Sequence, residues 1–481
     1  MNIFYFSAEV EPFAKSGGLG DVMGALPKVV AQQGHNVYVV MPYYCDLIKA
    51  QYKVEMQFVG YFYTDVNWRH QYVGVLSLKR DGVTYLFLDN EYYFQGPMYC
   101  FADNERFAYF CKAGLDLVCW LNVRADVLHC NDWSTGLIPV LRYAFYQNKE
   151  QLASAKTVYT IHNLRYQGWL NVEEAKSLTG LSDWYFTEDR LLQRGGVNLM
   201  KGAIVFSDAV TTVSPTYARE ITTDCYSENL GDVINRYRYK TEGILNGVDY
   251  TTYNPQTDSL LFEKYDVSNV VEGKNRNKTI LQQHLHLPAR SDVATVGIVS
   301  RLVDQKGLYM VSFVAEELLQ QDVQLIVLGT GESQYEQDFK NLARKYPNKV
   351  SANIFFDDVL AHRIYAACDF VLVPSVFEPC GLTQLIALKY GAVPIVRETG
   401  GLRDTVLSYN EQTGEGNGFS FANCNAHDMA FTVRRALDFY YARHKLYREI
   451  QQRGMRQDFS WLQSSAKYVD LYNRLKNGTD K

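Results

Sequence analysis

The stretch "KSGGLGDV" carries a cation and three glycines at a point where chemistry on a phosphate could occur. It places Lys15 between an apolar run and residues 23–32, which have the pattern of a helix. Glycines at such a junction let a ligand approach the backbone N–H groups, and a phosphate is the usual ligand. The spacing matches neither the dinucleotide-binding fingerprint nor the P-loop. A glycine-rich turn with one solvated lysine is the alternative interpretation.

Two further stretches place charge directly after predicted strands. Arg301 and Lys306 in "SRLVDQKG" could bind a diphosphate together, because an arginine can donate to two phosphate oxygens at once while a lysine supplies a concentrated positive charge. Glu378 in "FEPCGLTQL" directly follows an apolar strand, where burial of a carboxylate costs free energy unless it forms hydrogen bonds, for example with sugar hydroxyls. The N–H groups of residues 380–383 would then begin a helix aimed at an anion. A solvated basic turn and a helix cap by Glu378 are the respective alternatives.

Two more polar motifs follow strands in the first half of the chain. "HCNDWSTG" contains Asp132, and "TIHNLRYQG" contains His162 and Asn163. A lone histidine is more often structural than catalytic. A functional role is nevertheless favoured here, because charged or polar residues recur at predicted strand ends in both halves of the chain. One cleft between two domains could bring these residues together: Lys15, Asp132, His162, Arg301, Lys306 and Glu378.

The elements that would position these residues alternate along the chain. Apolar, β-branched runs at 36–41, 126–130, 157–161 and 209–213 are separated by helix-like segments, and residues 73–88 predict an antiparallel hairpin around Asp81-Gly82. After "GILNGVDYTTYNP" the alternation of strand-like and helix-like segments begins again, with strand-like runs within 293–302, 323–332, 370–381 and 392–401. The pattern predicts two doubly wound α/β domains in tandem, with ligands at the carboxyl ends of the strands.

Composition excludes several other classes of protein. The 481 residues have a formal net charge of -5 without a long run of one sign, so nucleic acid is not an expected partner. No apolar stretch is long enough for a membrane span and no secretion signal is recognised, so a cytoplasmic protein without membrane partner is expected. The nine cysteines include no CxxC pair, which argues against a disulfide framework or a zinc site. The 36 tyrosines would suit a carbohydrate ligand, but a tyrosine-rich core and surface without special function is the favoured interpretation.

Taken together, the motifs resemble those of one enzyme family. "KSGGLGDV" and "FEPCGLTQL" followed by "ETGGLRDTV" resemble the signatures of bacterial glycogen synthases and plant starch synthases, glycosyltransferase family 5. "HCNDWSTGL", "TIHNL", "ILNGVD" and "SRLVDQKG" fall in the same order, so the resemblance covers essentially the whole chain. It implies the α/β GT-B fold, in which two Rossmann-like doubly wound domains face a cleft. The implied domains are residues 1–243 on the acceptor side, 244–456 for the nucleotide sugar, and a helix within 457–481 that returns to the first domain.

The implied reaction transfers glucose from ADP-glucose to the nonreducing end of an α-1,4-glucan, glycogen or maltooligosaccharide, with retention of configuration and release of ADP. The resemblance implies catalytic roles for Lys15, His162, Arg301, Lys306 and Glu378. It implies donor binding by Gly17, Gly18, Asp132, Asn246, Phe356, Cys380, Gly381, Leu382 and Thr383. It places Glu9, Asp21 and Asn163 near the cleft without a definite role.

The implied enzyme needs neither a cofactor nor a metal, and the chain has no DxD motif of the kind that binds a divalent cation beside a diphosphate. Three alternatives stay open. They are a GT-B glucosyltransferase that uses UDP-glucose, a glucan phosphorylase with pyridoxal phosphate, and a glucan-binding protein without catalysis. The sequence makes no prediction of oligomeric state.

Overall fold

A computed structural model describes residues 1–478 of the chain. Its strands are β1 (Asn2–Phe6), β2 (Asn36–Pro42), β3 (Gln57–Val66), β4 (Arg69–Arg80), β5 (Val83–Asp89), β6 (Val127–Asn131), β7 (Lys156–Ile161), β8 (Trp169–Leu170), β9 (Leu192–Gln193), β10 (Gly196–Asn198), β11 (Ala209–Thr212), β12 (Thr241–Gly243), β13 (Ala294–Val299), β14 (Val323–Leu328), β15 (Val350–Asn353), β16 (Phe370–Val373), β17 (Val393–Arg397) and β18 (Phe419–Phe421).

The α-helices alternate with these strands. They are α1 (Gly18–Gln32), α2 (Ala50–Lys53), α3 (Glu91–Phe94), α4 (Asp103–Trp120), α5 (Leu137–Phe145), α6 (Val172–Thr179), α7 (Leu199–Phe206), α8 (Pro215–Glu220), α9 (Gly231–Arg236), α10 (Val270–His284), α11 (Leu308–Leu318), α12 (Ser333–Lys345), α13 (Asp358–Ala367), α14 (Thr383–Lys389), α15 (Gly400–Thr405), α16 (Ala426–Ala442), α17 (His444–Arg456) and α18 (Trp461–Asn477). None of these helices, within residues 1–478, is both long enough and apolar enough to span a membrane.

Within the described residues, the first compact unit contains 1–247 and 461–478. Its main sheet has nine strands in the order β12-β11-β7-β6-β1-β2-β5-β4-β3. The strands from β12 to β5 pair in parallel, and β3 and β4 form an antiparallel extension at one edge. Asp81 and Gly82, with φ of 53° and 79°, make the turn between β4 and β5. The predicted hairpin is therefore confirmed.

The second compact unit contains residues 248–460. Its sheet has six strands, all parallel, in the order β15-β14-β13-β16-β17-β18. Every residue of β14 and β16 is buried, which explains their continuous apolar sequences. The strand order reverses between β13 and β16, which makes their carboxyl ends the expected place for a ligand.

The chain divides a few residues past the boundaries at 243 and 456 that the sequence suggests. The Val248 N–H donates to the Phe459 carbonyl at 2.7 Å, and Val248 also pairs with Ser460, so both segments belong to the second unit. Helix α18 then packs in the first unit, where the Tyr472 hydroxyl lies 3.0 Å from that of Tyr5 on β1.

Candidate active site

The Lys15 loop joins β1 to α1, at the carboxyl end of a central strand. Lys15 Nζ lies 3.0 Å from Asp21 Oδ1 and 3.5 Å from Glu11 Oε2, and its side chain is 26% exposed. Two carboxylates therefore hold this cation at the loop. This arrangement gives Asp21, whose role the resemblance left open, a direct contact with Lys15.

Glu9 is buried beneath the same loop and holds it by hydrogen bonds. Its buried carboxylate accepts hydrogen bonds from Ser16 N at 2.5 Å, Ser16 Oγ at 2.7 Å, Gly17 N at 3.1 Å and the Tyr99 hydroxyl at 2.6 Å. Burial and the Glu9 carboxylate raise the pKa of Tyr99, so its hydroxyl stays protonated and donates. Sequence reasoning missed Tyr99, because nothing local connects it to a loop so far away along the chain.

The glycines of the loop serve two different purposes. Gly17 and Gly18 are exposed, and a Cβ at either would meet nothing within 4 Å, so a ligand has open access to this backbone. A Cβ at Gly20 would lie 2.4 Å from Lys15 Cβ, and one at Gly24 would lie 2.8 Å from the Glu11 carbonyl oxygen. Gly20, the third glycine of "KSGGLGDV", and Gly24, which the sequence did not point to, therefore let helix α1 pack directly against the loop.

Asp132 joins the ends of β6 and β7. Its Oδ1 accepts from the N–H groups of His162 at 2.8 Å and Asn163 at 3.3 Å. Burial raises the pKa of its carboxyl to about 7, although these two bonds oppose the change. Its backbone, at φ 55° and ψ -178°, adopts a conformation that is costly for any residue but glycine. The strained backbone and the perturbed carboxyl keep Asp132 a candidate site residue.

His162 is buried and electrically neutral. Its Nε2 lies 2.9 Å from Asn131 Oδ1, while Asn131 Nδ2 donates to the Phe6 carbonyl, so Nε2 carries the proton and donates. Burial lowers the pKa of His162 to about 3. The ring therefore acts as a neutral hydrogen-bonding group near neutral pH and does not supply a positive charge.

Asn163 and Asn246 differ in how their side chains are used. Asn163 Oδ1 accepts from the Arg165 N–H at 3.1 Å, which shapes the turn after β7. Asn246 is buried, and within residues 1–478 its Oδ1 has no hydrogen-bond partner. A buried carbonyl oxygen without a partner is costly, and a ligand hydroxyl would satisfy it.

In the second unit, Lys306 and Glu378 meet at the point where the strand order reverses. Lys306 follows β13 and Glu378 follows β16, and Lys306 Nζ lies 2.5 Å from Glu378 Oε2. The Ser375 hydroxyl donates to the same oxygen at 2.9 Å. Arg301, in the same loop as Lys306, is exposed. The structure thus places the three predicted charged residues of this unit at neighbouring strand ends.

Tight backbone packing holds the two loops together. Val376 N donates to the Gln305 carbonyl at 2.9 Å. Gly307, at φ 68°, approaches so closely that a Cβ there would lie 2.0 Å from the Pro374 carbonyl oxygen. Gly401 of "ETGGLRDTV" packs in the same way against the loop that carries Glu378, since a Cβ added at Gly401 would lie 2.1 Å from the Cys380 carbonyl oxygen. The second part of the motif therefore positions the loop that carries Glu378.

The segment from Cys380 to Thr383 was expected to begin a helix with all four residues. Helix α14 instead begins at Thr383, and Leu382 lies at its cap. Gly381 turns the chain with φ 74°, while Cys380 is buried beneath the turn. The N–H groups of residues 380–382 thus belong to a turn that precedes the helix.

Phe356 lies just after β15, the edge strand of this sheet, and is 78% exposed. A ring left so open to water is available to stack on a planar ligand. The following residue, Asp357, caps α13 by accepting from the Leu360 N–H at 2.9 Å, so it has a structural role.

Two family models divide the chain as the two units do. The model described as the starch synthase catalytic domain matches residues 2–236, and that of glycosyl transferases group 1 matches residues 282–455. A glycogen synthase of Clostridium novyi (strain NT) is 50% identical over 479 residues, which is 99% of each chain. A glycogen synthase of Geobacillus stearothermophilus is 47% identical over 477 residues, 99% of this chain and 98% of that one.

Solved structures agree with these relatives. The catalytic domain of starch synthase IV from Arabidopsis thaliana, bound to ADP and acarbose, superposes with a TM-score of 0.92 at 32% identity, over 99% of each chain. A sucrose-phosphate synthase from Thermosynechococcus elongatus has a TM-score of 0.63 at 18% identity, also over 99% of each chain. At that identity the second match speaks for the fold alone.

Two Rossmann-like units with charged side chains at the ends of their central strands define a glycosyltransferase of the GT-B fold class. Within that class, the chain belongs to the family of glycogen synthases and starch synthases. The fold class and the family that the motifs indicated are thereby confirmed.

Proposed function

We propose that the protein is a glycogen synthase that transfers glucose from ADP-glucose to the nonreducing end of an α-1,4-glucan, retains the α configuration and releases ADP. Full-length relatives named glycogen synthase support the reaction. The starch synthase IV domain bound to ADP supports an adenine nucleotide as leaving group. Glycogen and maltooligosaccharides are the proposed acceptors.

The observation that carries the proposal is the contact between Lys306 and Glu378 at the reversal point of the second sheet. It places a cation and an acid side by side, beside the exposed Arg301. A donor with a diphosphate and a sugar has the matching chemistry, since the phosphates need cations and the sugar hydroxyls need an acceptor. We assign charge neutralisation to Arg301 and Lys306, and sugar binding to Glu378.

Charge on the leaving group is the main catalytic problem. As the glycosidic bond breaks, negative charge grows on the departing nucleoside diphosphate. We assign its stabilisation to Lys15, Arg301 and Lys306, whose positive charges oppose the developing negative charge. The open backbone at Gly17 and Gly18, and the turn of residues 380–382 with the first residue of α14, Thr383, offer N–H donors for the same phosphates.

Retention of configuration is assigned to transfer on one face of the sugar. The departing phosphate accepts the proton of the incoming glucan hydroxyl, so no enzyme carboxylate forms a bond to the sugar. Neutral His162 suits hydrogen bonds to glucose hydroxyls, as does Asn246 Oδ1, which has no hydrogen-bond partner within residues 1–478. We assign Asp132 to binding of the donor sugar as well. Phe356 is the proposed stacking partner of the base.

We propose that neither a metal nor a cofactor takes part, and that the enzyme works in the cytoplasm without nucleic acid or membrane partners. The cations named above supply the charge that a metal would otherwise provide. Full activity in excess EDTA supports this part of the proposal, and activity restored only by a divalent cation contradicts it.

The deciding experiment measures nucleoside diphosphate release from ADP-glucose and, separately, UDP-glucose, each with and without glycogen. Release from ADP-glucose that depends on glycogen supports the proposal in full. Preference for UDP-glucose overturns the choice of donor, and release without acceptor indicates hydrolysis. No release from either donor contradicts the proposed reaction and favours the alternative of a glucan-binding protein without catalysis.

A further inference from the structure

A buried asparagine at the end of β6 contacts the ring of His162. Asn131 is the last residue of β6 and pairs with Thr160 of β7, two residues before His162. Its side chain is almost fully buried, and its Oδ1 lies 2.9 Å from His162 Nε2. Sequence reasoning singled out Asp132 in "HCNDWSTG" but not Asn131, because the partner of Asn131 follows a different strand.

The backbone of β1 determines which way the Asn131 amide faces. Phe6 is the last residue of β1, and its carbonyl oxygen lies 3.0 Å from Asn131 Nδ2. A carbonyl oxygen only accepts hydrogen bonds, so the NH₂ end of the amide must face Phe6. The reverse orientation would bring two buried oxygens together without a proton between them, which is costly. Asn131 Oδ1 therefore faces His162.

The amide in turn determines where the His162 ring carries its proton. Asn131 Oδ1 only accepts, so His162 Nε2 carries the proton and donates. Burial lowers the pKa of His162 to about 3, so near neutral pH the ring holds this single proton. Nδ1 then keeps a free lone pair, and within residues 1–478 it has no hydrogen-bond partner. Asn131 thus leaves one acceptor atom of the ring for a ligand.

Two titratable neighbours do not compete for the ring proton. Asp132 accepts from the backbone N–H of His162 at 2.8 Å rather than from its ring. His129 lies two residues before Asn131 on β6, and both nitrogens of its ring contact hydroxyl groups. Burial and, to a smaller extent, His162 lower the pKa of His129 to about 3, so this ring is also neutral. Asn131 is therefore the group that orients His162.

We propose that Asn131 is a positioning residue for the transfer reaction: it holds the proton of His162 on Nε2, so that Nδ1 accepts a hydrogen bond from a hydroxyl of the donor glucose. The identity of the ligand rests on the proposed function. A hydroxyl that donates to nitrogen keeps more negative charge on its own oxygen. This suits a sugar that becomes positive as its bond to the leaving group breaks. A ring protonated on Nδ1 would donate instead and oppose that charge.

The test changes Asn131 in two ways. Asn131→Leu removes the acceptor, so either ring nitrogen can hold the proton. Asn131→Asp keeps an acceptor of the same size, but its negative charge stabilises a second proton on the ring. Asn353→Leu is the matched control, because Asn353 also ends a strand and donates to the carbonyl of a neighbouring strand, that of Val327 at 3.1 Å.

Nitrogen-15 NMR of histidine-labelled protein at pH 7, without any ligand, shows which ring nitrogens carry protons. The chain has nine histidines, and the signals that disappear in His162→Gln belong to His162. Assays of ADP release from ADP-glucose, with glycogen as acceptor, separate kcat from the KM for glycogen. The spectrum reports the state of the ring, and kcat reports its consequence for the reaction.

We expect the wild-type ring to carry its proton on Nε2 alone. In Asn131→Leu, part of the His162 signal should show a proton on Nδ1, and in Asn131→Asp both nitrogens should carry protons. In both variants kcat should fall about 10-fold or more with little change in the KM for glycogen, because a wrongly protonated ring fails at the reacting sugar. Asn353→Leu should match wild type in spectrum and kcat.

Three outcomes overturn the proposal. They are a wild-type ring protonated on Nδ1, Asn131 variants that keep the wild-type ring state, and variants with an altered ring state but wild-type kcat. If Asn131→Leu does not fold, the wild-type spectrum and Asn131→Asp decide. Because the spectrum needs no substrate, a wild type protonated on Nε2 that releases no ADP refutes the proposed function and leaves the positioning of His162 by Asn131 in place.

Discussion

Lys306 Nζ lies 2.5 Å from Glu378 Oε2, and the two residues come from loops that follow adjacent strands of one parallel sheet. The pair is mostly buried, with side-chain exposures of 18% and 9%. A buried pair of this kind is weak as a source of stability, because desolvation offsets much of the attraction. Its position at the reversal point of the sheet therefore argues for a role in ligand binding.

Glu378→Gln should reduce ADP release about 100-fold or more, because the amide keeps the shape but loses the charge that orients Lys306 and accepts sugar hydroxyls. We expect the melting temperature to fall by only about 2–4 °C. Activity assays and thermal melts measure the two effects. Glu316→Gln, which removes an exposed partner of Lys345, is the control and should keep wild-type activity. A variant that unfolds at assay temperature would assign Glu378 a structural role.

Gly20→Ala should destabilise the first unit by about 1–3 kcal/mol, because its Cβ would lie 2.4 Å from Lys15 Cβ and no flexible atom is there to move. Displacement of Lys15 should also raise the KM for the donor. Gly17→Ala is the matched control for folding, since its Cβ meets nothing within 4 Å and its φ of -165° suits any residue. Denaturant unfolding that places both variants at the same stability would contradict the packing described for this loop.

Asp132→Asn should raise the melting temperature at pH 8 and lose that advantage as the pH falls toward 5. Burial raises the pKa of Asp132 to about 7, so the folded wild type binds a proton there more tightly than the unfolded chain does. Its stability therefore falls as the pH rises from about 4 to 7, by an amount on the order of 1–3 kcal/mol. The amide oxygen can still accept from the His162 N–H.

Asp208→Asn provides the control for this pH experiment. Asp208 also accepts from a strand N–H, that of Thr157 at 2.7 Å, yet it lies away from the candidate site. Its replacement should lower the melting temperature at pH 8. If the melting temperatures of the two variants change by the same amount at both pH values, the pKa of the Asp132 carboxyl is not raised by burial.

His162→Gln should lower activity and leave the shape of the pH–rate profile unchanged between pH 5 and 9. Burial lowers the pKa of His162 to about 3, so the ring is neutral throughout that range and does not titrate during catalysis. For the same reason wild-type stability falls as the pH drops below about 6.5, where unfolded histidine takes up a proton. The measurement is kcat/KM against pH, with His427→Gln, at an exposed position of the second unit, as control. Loss of an acid limb in His162→Gln alone would show that the ring does titrate.

Local sequence patterns were sufficient to predict the fold class and the positions of most strands. Runs of β-branched and apolar residues marked β2, β7, β13 and β14 because a strand buried on both faces requires such residues along its whole length. The motifs also marked the charged residues that follow β1, β6, β13 and β16. These inferences succeeded because strand formation, burial and turn chemistry depend on neighbours along the chain.

Contacts between distant segments could not be read in this way. Lys306 and Glu378 are 72 positions apart, and the hydrogen bond from Tyr99 to Glu9 joins residues 90 positions apart. The strained backbone of Asp132 and the close packing of Gly20 on Lys15 likewise became visible only in three dimensions. Strand order and loop packing decide these contacts, and both follow from the free energy of the whole fold rather than from any short segment.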